Sequence, residues 1–335
     1  MKNYFNILKK INSKNYLSFV KKLGRRIMSP IKLNFHRLIF KNYDDNKALF
    51  IFGEARGGTT WVMEFMQANT KSISCFEPLW GRHGTFKKIA HHFSSPFYLG
   101  VDKTNEILRN YILNISKGKK YSWRTIQFNN FKQIFRSKFV LIKMVNVNLI
   151  APWLTKNFTD LNHKPIYIIR HPLAILYSRE HYNNYNSSNE FIGNFDEKRL
   201  KSSKHPYWSY LQILNRYPYK YQRYMVEWCV RNQNFINGFY SDKVNIVYYE
   251  NLVMHKEAVI DKLNLLYPKL FLYSKFKTTS KSGTTSLTSS TLEYDAQLSK
   301  WIGFFNEKEL KDFEEILKEF KINIYSPYQS NIQNV

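Results

Sequence analysis

With 335 residues, 44% of them hydrophobic, the chain can build one large α/β domain with insertions, or at most two domains. Its formal net charge of +26, from 51 basic and 25 acidic residues, attracts anions: nucleotides, acidic glycans, nucleic acid or anionic lipid. The two cysteines, Cys75 and Cys229, form neither a disulfide framework nor a zinc pattern, so the expectation is a reduced, cytoplasmic protein.

The charge has two readings that composition leaves open. Lys, Asn, Ile, Tyr and Phe abound, as an AT-biased genome would produce, or the field serves function. No apolar run approaches the ~20 residues of a membrane helix. Lys9, Lys10 and Lys14 interrupt Ile7, Leu8 and Ile11, which leaves no clean signal-peptide core. Residues 1–45 are expected to form a basic N-terminal arm, with Phe5, Leu8, Ile11, Phe19 and Leu23 at its apolar positions. Such an arm either packs on the domain or makes peripheral contact with an anionic membrane.

Buried parallel strands read as continuous apolar runs, and four segments qualify: 48–53 (ALFIFG), 139–145 (FVLIKMV), 165–170 (PIYIIR) and 244–249 (VNIVYY). A helix over 59–69 follows the first, with Val62, Phe65, Met66 and Asn69 on one face. Pro172 opens a helix after the third. Further helices are expected over 218–239, over 257–267 and from Asn306, which with Glu309 forms a capping box. Residues 80–135 and 183–220 read as insertions, 275–290 as a polar loop, and 326–335 as a tail. Strands alternating with helices predict an α/β, P-loop-like three-layer fold over 46–325, with a central, mainly parallel sheet flanked by helices. Ligands in such sheets bind beyond the C-terminal strand ends, where Arg56 and Arg170 fall.

Gly53-Glu-Ala-Arg-Gly-Gly-Thr-Thr60 joins a strand to a helix with P-loop spacing, but Thr59 stands where the P-loop Lys belongs. Gly57 and Gly58 let the backbone approach an anion, the helix-start N–H groups point at it, and Arg56, Thr59 and Thr60 add donors. The missing Lys argues against a kinase or nucleotide hydrolase. The motif ARGGTTW closely resembles the 5′-phosphosulfate loop of sulfotransferases that use 3′-phosphoadenosine 5′-phosphosulfate (PAPS), and its Arg resembles the carbohydrate branch.

A second strand–turn–helix, Ile168-Ile-Arg170-His-Pro172-Leu-Ala-Ile-Leu-Tyr-Ser178, resembles the family's 3′-phosphate site, which implies that Arg170 and Ser178 hold that phosphate. His171 departs from the family's usual Asp or Asn. Cys75-Phe-Glu77-Pro78 resembles the Glu-Pro segment of enzymes that sulfate sugar 6-hydroxyls. Val247-Tyr-Tyr-Glu250-Asn-Leu resembles another family segment, in which Glu250 is expected to be structural. The resemblance spans about 48–320.

The chemistry implied is in-line sulfuryl transfer from PAPS to a hydroxyl-bearing acceptor, a glycan or glycolipid, with no metal required. Glu77 is the candidate base, its pKa expected to be raised by apolar neighbours. Arg56 and the N–H groups of Thr59 and Thr60 would stabilise the leaving phosphate. Lys143 is the candidate second cation, expected to point into a polar cleft. Trp61 either packs near adenine or anchors its helix. His83, His91 and His92 are fallback bases, and Lys275, Lys277, Lys281 and Gly283 a candidate lid. A basic nucleic-acid- or membrane-binding module is the rival class, but the aromatics fall at core positions and nucleic acid is not expected.

Overall fold

The computed structural model describes residues 13–39, 41–79, 98–158, 162–180, 206–270 and 298–332. In chain order these form α1 (Ser13–Leu38), β1 (Leu49–Gly53), α2 (Thr59–Asn69), β2 (Ser72–Phe76), α3 (Glu106–Ser116), α4 (Phe131–Arg136), β3 (Phe139–Lys143), α5 (Ala151–Asn157), β4 (Ile166–Ile169) and α6 (Pro172–Glu180). There follow α7 (Pro206–Ser209), α8 (Leu211–Arg216), α9 (Lys220–Ile236), β5 (Asn245–Tyr248), α10 (Tyr249–Met254), α11 (Lys256–Leu266) and α12 (Glu307–Glu319).

The five strands form one sheet in the order β2-β3-β1-β4-β5, and every pairing is parallel. Side chains alternate between two cores, which is why the strands read as unbroken apolar runs. Phe50, Phe52, Val140, Ile142, Tyr167 and Ile169 face one core, closed by α3, α5, α9 and α12. Leu49, Ile51, Phe139, Leu141, Ile166 and Ile168 face the other, closed by α2 and α11. The result is the expected three-layer α/β architecture. Because β1 lies between β3 and β4, the crevice at its C-terminal end is the topological switch point of the sheet.

Four expected strands are present, shortened by one or two residues at their ends. The helix expected over 218–239 runs only over Lys220–Ile236. Gly238, with φ 78°, ends it in a Schellman turn: Phe239 N–H donates to Asn234 O (2.9 Å) and Gly238 N–H to Phe235 O (3.2 Å). The capping box of Asn306 and Glu309 starts α12 as expected.

β2 escaped the sequence reading because Ser72 and Ser74 break its apolar pattern. It is an edge strand, and its open side is covered. Asn129 accepts from Ser74 N–H (2.7 Å) and donates to Ser74 O (2.8 Å), and Phe76 N–H donates to Thr125 O (2.8 Å). Much of the supposed insertion at 80–135 is therefore core: Leu108, Ile112, Ile115, Ile126 and Ile134 are buried. The segment read as a tail is also tied in at its start, since the His171 ring meets Ser326 O. Among the described residues no helix is long and apolar enough to cross a membrane.

Candidate active site

The loop after β1 is shaped by close contact rather than by composition alone. Gly57 N–H donates to Glu54 O (2.9 Å), closing a tight turn. Gly58 has φ 91°, and a Cβ there would sit 2.3 Å from the Tyr249 ring. Only glycine meets both demands. Thr59 and Thr60, both buried, open α2 with their N–H groups directed into the loop. Asn146, itself at φ 57°, clamps the loop from the end of β3: its N–H donates to Gly53 O (3.1 Å) and its Oδ1 accepts from Ala55 N–H (3.3 Å).

Arg56 adopts φ 73°, a left-handed conformation that costs a side-chain-bearing residue about 1 kcal/mol. That conformation is held from two sides. Arg170 donates from Nη1 to Arg56 O (2.7 Å), and Arg56 Nε donates to Ser178 Oγ (2.9 Å). The residues assigned to separate 5′- and 3′-phosphate elements thus form one cluster across the ends of β1 and β4. The Arg170 guanidinium lies 4.3 Å from the Tyr249 ring centroid, a cation–π contact, while its Nε is buried and finds no hydrogen-bond partner among the described residues. An unsatisfied guanidinium N–H beside a glycine-lined cradle fits an anionic ligand.

His171 does not reach toward this cluster. Its Nδ1 accepts from Leu173 N–H (3.2 Å), so Nε2 carries the proton and donates to Ser326 O (2.9 Å). Burial holds this neutral ring at a pKa of about 4. Glu250 accepts from His171 N–H (2.8 Å) and Tyr325 Oη–H (3.1 Å), which is the structural role expected of it.

On the other flank of the loop, Glu77 and Lys143 meet at the ends of β2 and β3. Lys143 Nζ donates to Glu77 Oε1 (2.7 Å) and lies 4.4 Å from the Phe76 ring centroid. Arg124 Nη2 donates to Glu77 Oε2 (3.1 Å). A small cleft lined by Glu77, Leu79, Met144 and Val145 opens here.

Two expectations are corrected. Lys143 does not point into an open cleft: its side chain is 2% exposed, and it is tolerated because Glu77 compensates its charge. The Glu77 pKa is not raised. Burial pushes it up, but Lys143 and then Arg124 outweigh that and leave it below the usual carboxylate range. Burial in turn lowers the Lys143 pKa, against the pull of Glu77.

Beneath the loop lies a charged network that the sequence reading missed. Glu54 accepts from Arg179 (3.0 Å) and Arg231 (3.4 Å), and Arg231 also donates to Glu227 (2.8 Å). It ties the loop between β1 and α2 to α6 and α9. Burial raises the Glu227 pKa to about 7, although Arg231 and Arg179 oppose this. A buried acidic residue at the end of an apolar strand was the available signal, because Glu54 needs cationic partners to be tolerated there. Arg124 gave no such signal, being 47 residues from Glu77. Trp61 stacks on Phe65 within its own helix (5.7 Å), with Lys256 Nζ 5.8 Å from its ring. His83, His91, His92, Lys275, Lys277, Lys281 and Gly283 lie outside the described residues.

A parallel sheet with a glycine-lined strand–helix loop at its switch point, flanked by Arg56 and Arg170 and by a Glu–Lys pair, places the chain among P-loop-like α/β proteins. The chain matches the family described as Sulfotransferase domain over residues 46–319, and it belongs to that family: the protein is a sulfotransferase. No curated protein gives a significant match. Similar solved structures include the sulfotransferase domain from the curacin biosynthetic pathway (16% identity, TM-score 0.44, covering 84% of this chain and 97% of that one). The sulfotransferase domain from the Synechococcus PCC 7002 olefin synthase is also similar (16%, TM-score 0.42, 84% and 96%). So is mouse sulfotransferase SULT7A1 complexed with PAP (12%, TM-score 0.42, 84% and 86%).

Proposed function

We propose that this sulfotransferase moves a sulfuryl group from PAPS to a hydroxyl of a carbohydrate or glycoconjugate acceptor. The observation that carries the donor assignment is the cluster of Arg56, Arg170 and Ser178. It draws together the two elements read as phosphate sites around the glycine cradle, and the Arg170 Nε–H has no acceptor among the described residues.

When bound, PAPS supplies the sulfuryl group and leaves as adenosine 3′,5′-bisphosphate. Arg56 and the N–H groups of Thr59 and Thr60 hold the 5′-phosphate and stabilise charge on the departing oxygen. Arg170 and Ser178 hold the 3′-phosphate. Glu77 takes the proton from the acceptor hydroxyl. Its ion pairs with Lys143 and Arg124 hold it as a carboxylate able to accept that proton, and lower its basicity. No step requires a metal, because positioning and fixed cations do the work. The acceptor class rests on the Glu77-Pro78 segment, with the positive field favouring an anionic or glycosylated partner.

The test is mass-detected sulfate transfer from PAPS to glycan and lipid extracts, alongside thermal stabilisation by adenosine 3′,5′-bisphosphate. No stabilisation by the bisphosphate rejects the donor. Transfer only to small alcohols or proteins rejects the acceptor class.

A further inference from the structure

Helix α1 has two faces, and only one of them belongs to the protein core. The inward face holds buried Ser29 and His36, and it packs through Phe35 on Phe131 (5.3 Å), His36 on Tyr121 (4.7 Å) and Arg25 over Phe128 (4.9 Å). Lys32 Nζ adds a bond to Gln127 O (3.3 Å). The outward face is mainly apolar, with exposed Asn34 the polar residue within it. At 3.6 residues per turn, Val20, Leu23, Ile27, Ile31 and Leu38 fall within an arc of about 80°. All five are exposed, Ile27 by 60%, Ile31 by 52% and Leu38 by 83%. Exposed Arg26 and Arg37 lie along one margin of the stripe.

A mainly apolar stripe turned to solvent implies a partner, and the charge of the helix selects which. The α1 sequence carries seven Lys and Arg residues and no Asp or Glu, and the first acidic residue of the chain is Asp44. A second copy of the same face would bring like charges together. An anionic bilayer offers both an apolar layer for the stripe and counter-charge for its margins.

We infer that α1 is an interfacial anchor that seats the enzyme on an anionic lipid surface, with Val20, Leu23, Ile27, Ile31 and Leu38 entering the boundary between headgroups and acyl chains. The anchor lies outside the nucleotide site, so membrane binding is independent of the donor assignment.

Vesicle flotation of the full chain tests this. The wild type should float with vesicles containing about one-third phosphatidylglycerol and not with phosphatidylcholine alone. Binding should weaken in about 0.5 M NaCl. The double substitution Ile27→Glu/Ile31→Glu should reduce the bound fraction at least about ten-fold. Stabilisation by adenosine 3′,5′-bisphosphate, measured in parallel, should be unchanged in that variant, which separates lost anchoring from lost folding. Failure of the wild type to float overturns the inference, as does undiminished binding by the variant. A wild-type dimer that the substitutions dissociate, with no effect on vesicles, overturns it in favour of a protein partner.

Discussion

Replacing Lys143 with Met tests whether the Glu77–Lys143 pair is one coupled unit. The Lys143 side chain is 2% exposed, and its Nζ lies 2.7 Å from Glu77. Breaking such a buried pair costs roughly 3–5 kcal/mol. Glu77 keeps Arg124 at 3.1 Å, so the lower end, about 3 kcal/mol, is expected for Lys143→Met. Glu77→Gln strands the ammonium instead; burial lowers the Lys143 pKa, which eases loss of the stranded proton, and the cost is about 2 kcal/mol. The double variant removes both charges and should lose less than the sum, giving a coupling of at least about 1.5 kcal/mol in urea denaturation at neutral pH. Coupling below about 0.5 kcal/mol would refute the pair as an energetic unit. The pH sign follows from the lowered Glu77 pKa. Its contribution is fully present above the unfolded value of about 4.3 and is lost as pH falls through the lower folded value. Catalysis supplies the second axis. A Glu77→Gln variant that keeps near-normal turnover cannot have lost its base, whereas a base role predicts a fall of about 10²–10⁴ in kcat.

Arg170→Ala should weaken adenosine 3′,5′-bisphosphate by at least about ten-fold more than AMP in calorimetric titration, since only the bisphosphate carries a 3′-phosphate; equal losses would remove Arg170 from that role. Gly58→Ala combines φ 91° with a Cβ 2.3 Å from the Tyr249 ring, so the loop or the ring must shift, and the nucleotide Kd should rise by about ten-fold or more. His171 takes a proton near 6.5 when unfolded but near 4 when folded, so acid favours the unfolded chain between those values. The stability of His171→Asn relative to wild type should therefore rise by about 3 kcal/mol as pH falls from 7 to 4. Glu227 has the opposite sign, because its folded pKa of about 7 lies above the unfolded value. Glu227→Gln should gain about 3 kcal/mol on wild type as pH climbs from 4.5 to 8. The two slopes oppose each other in the native protein, so each is read as a difference from wild type.

The sequence alone determined the elements whose signals are local. Apolar runs marked four of the five strands because a parallel strand buried on both faces needs apolar residues at every position. Gly57, Gly58, Thr59 and Arg170 marked the strand–loop–helix turn and its partner strand end because backbone approach and helix-start N–H groups depend on residue type at short spacing. The same residues carried the family resemblance.

Tertiary structure decided everything that depends on who meets whom. Ser72 and Ser74 disguised β2, whose edge is satisfied by Asn129 from a distant turn. Glu77 looked like a carboxyl in apolar surroundings, and only the approach of Lys143 and Arg124 reversed its pKa shift. Arg56 and Ser178 are 122 residues apart, and their hydrogen bond exists because β1 and β4 are neighbours in the sheet. Short-range preference selects strand, loop and helix, whereas charge compensation is a long-range requirement that only the packed fold can meet.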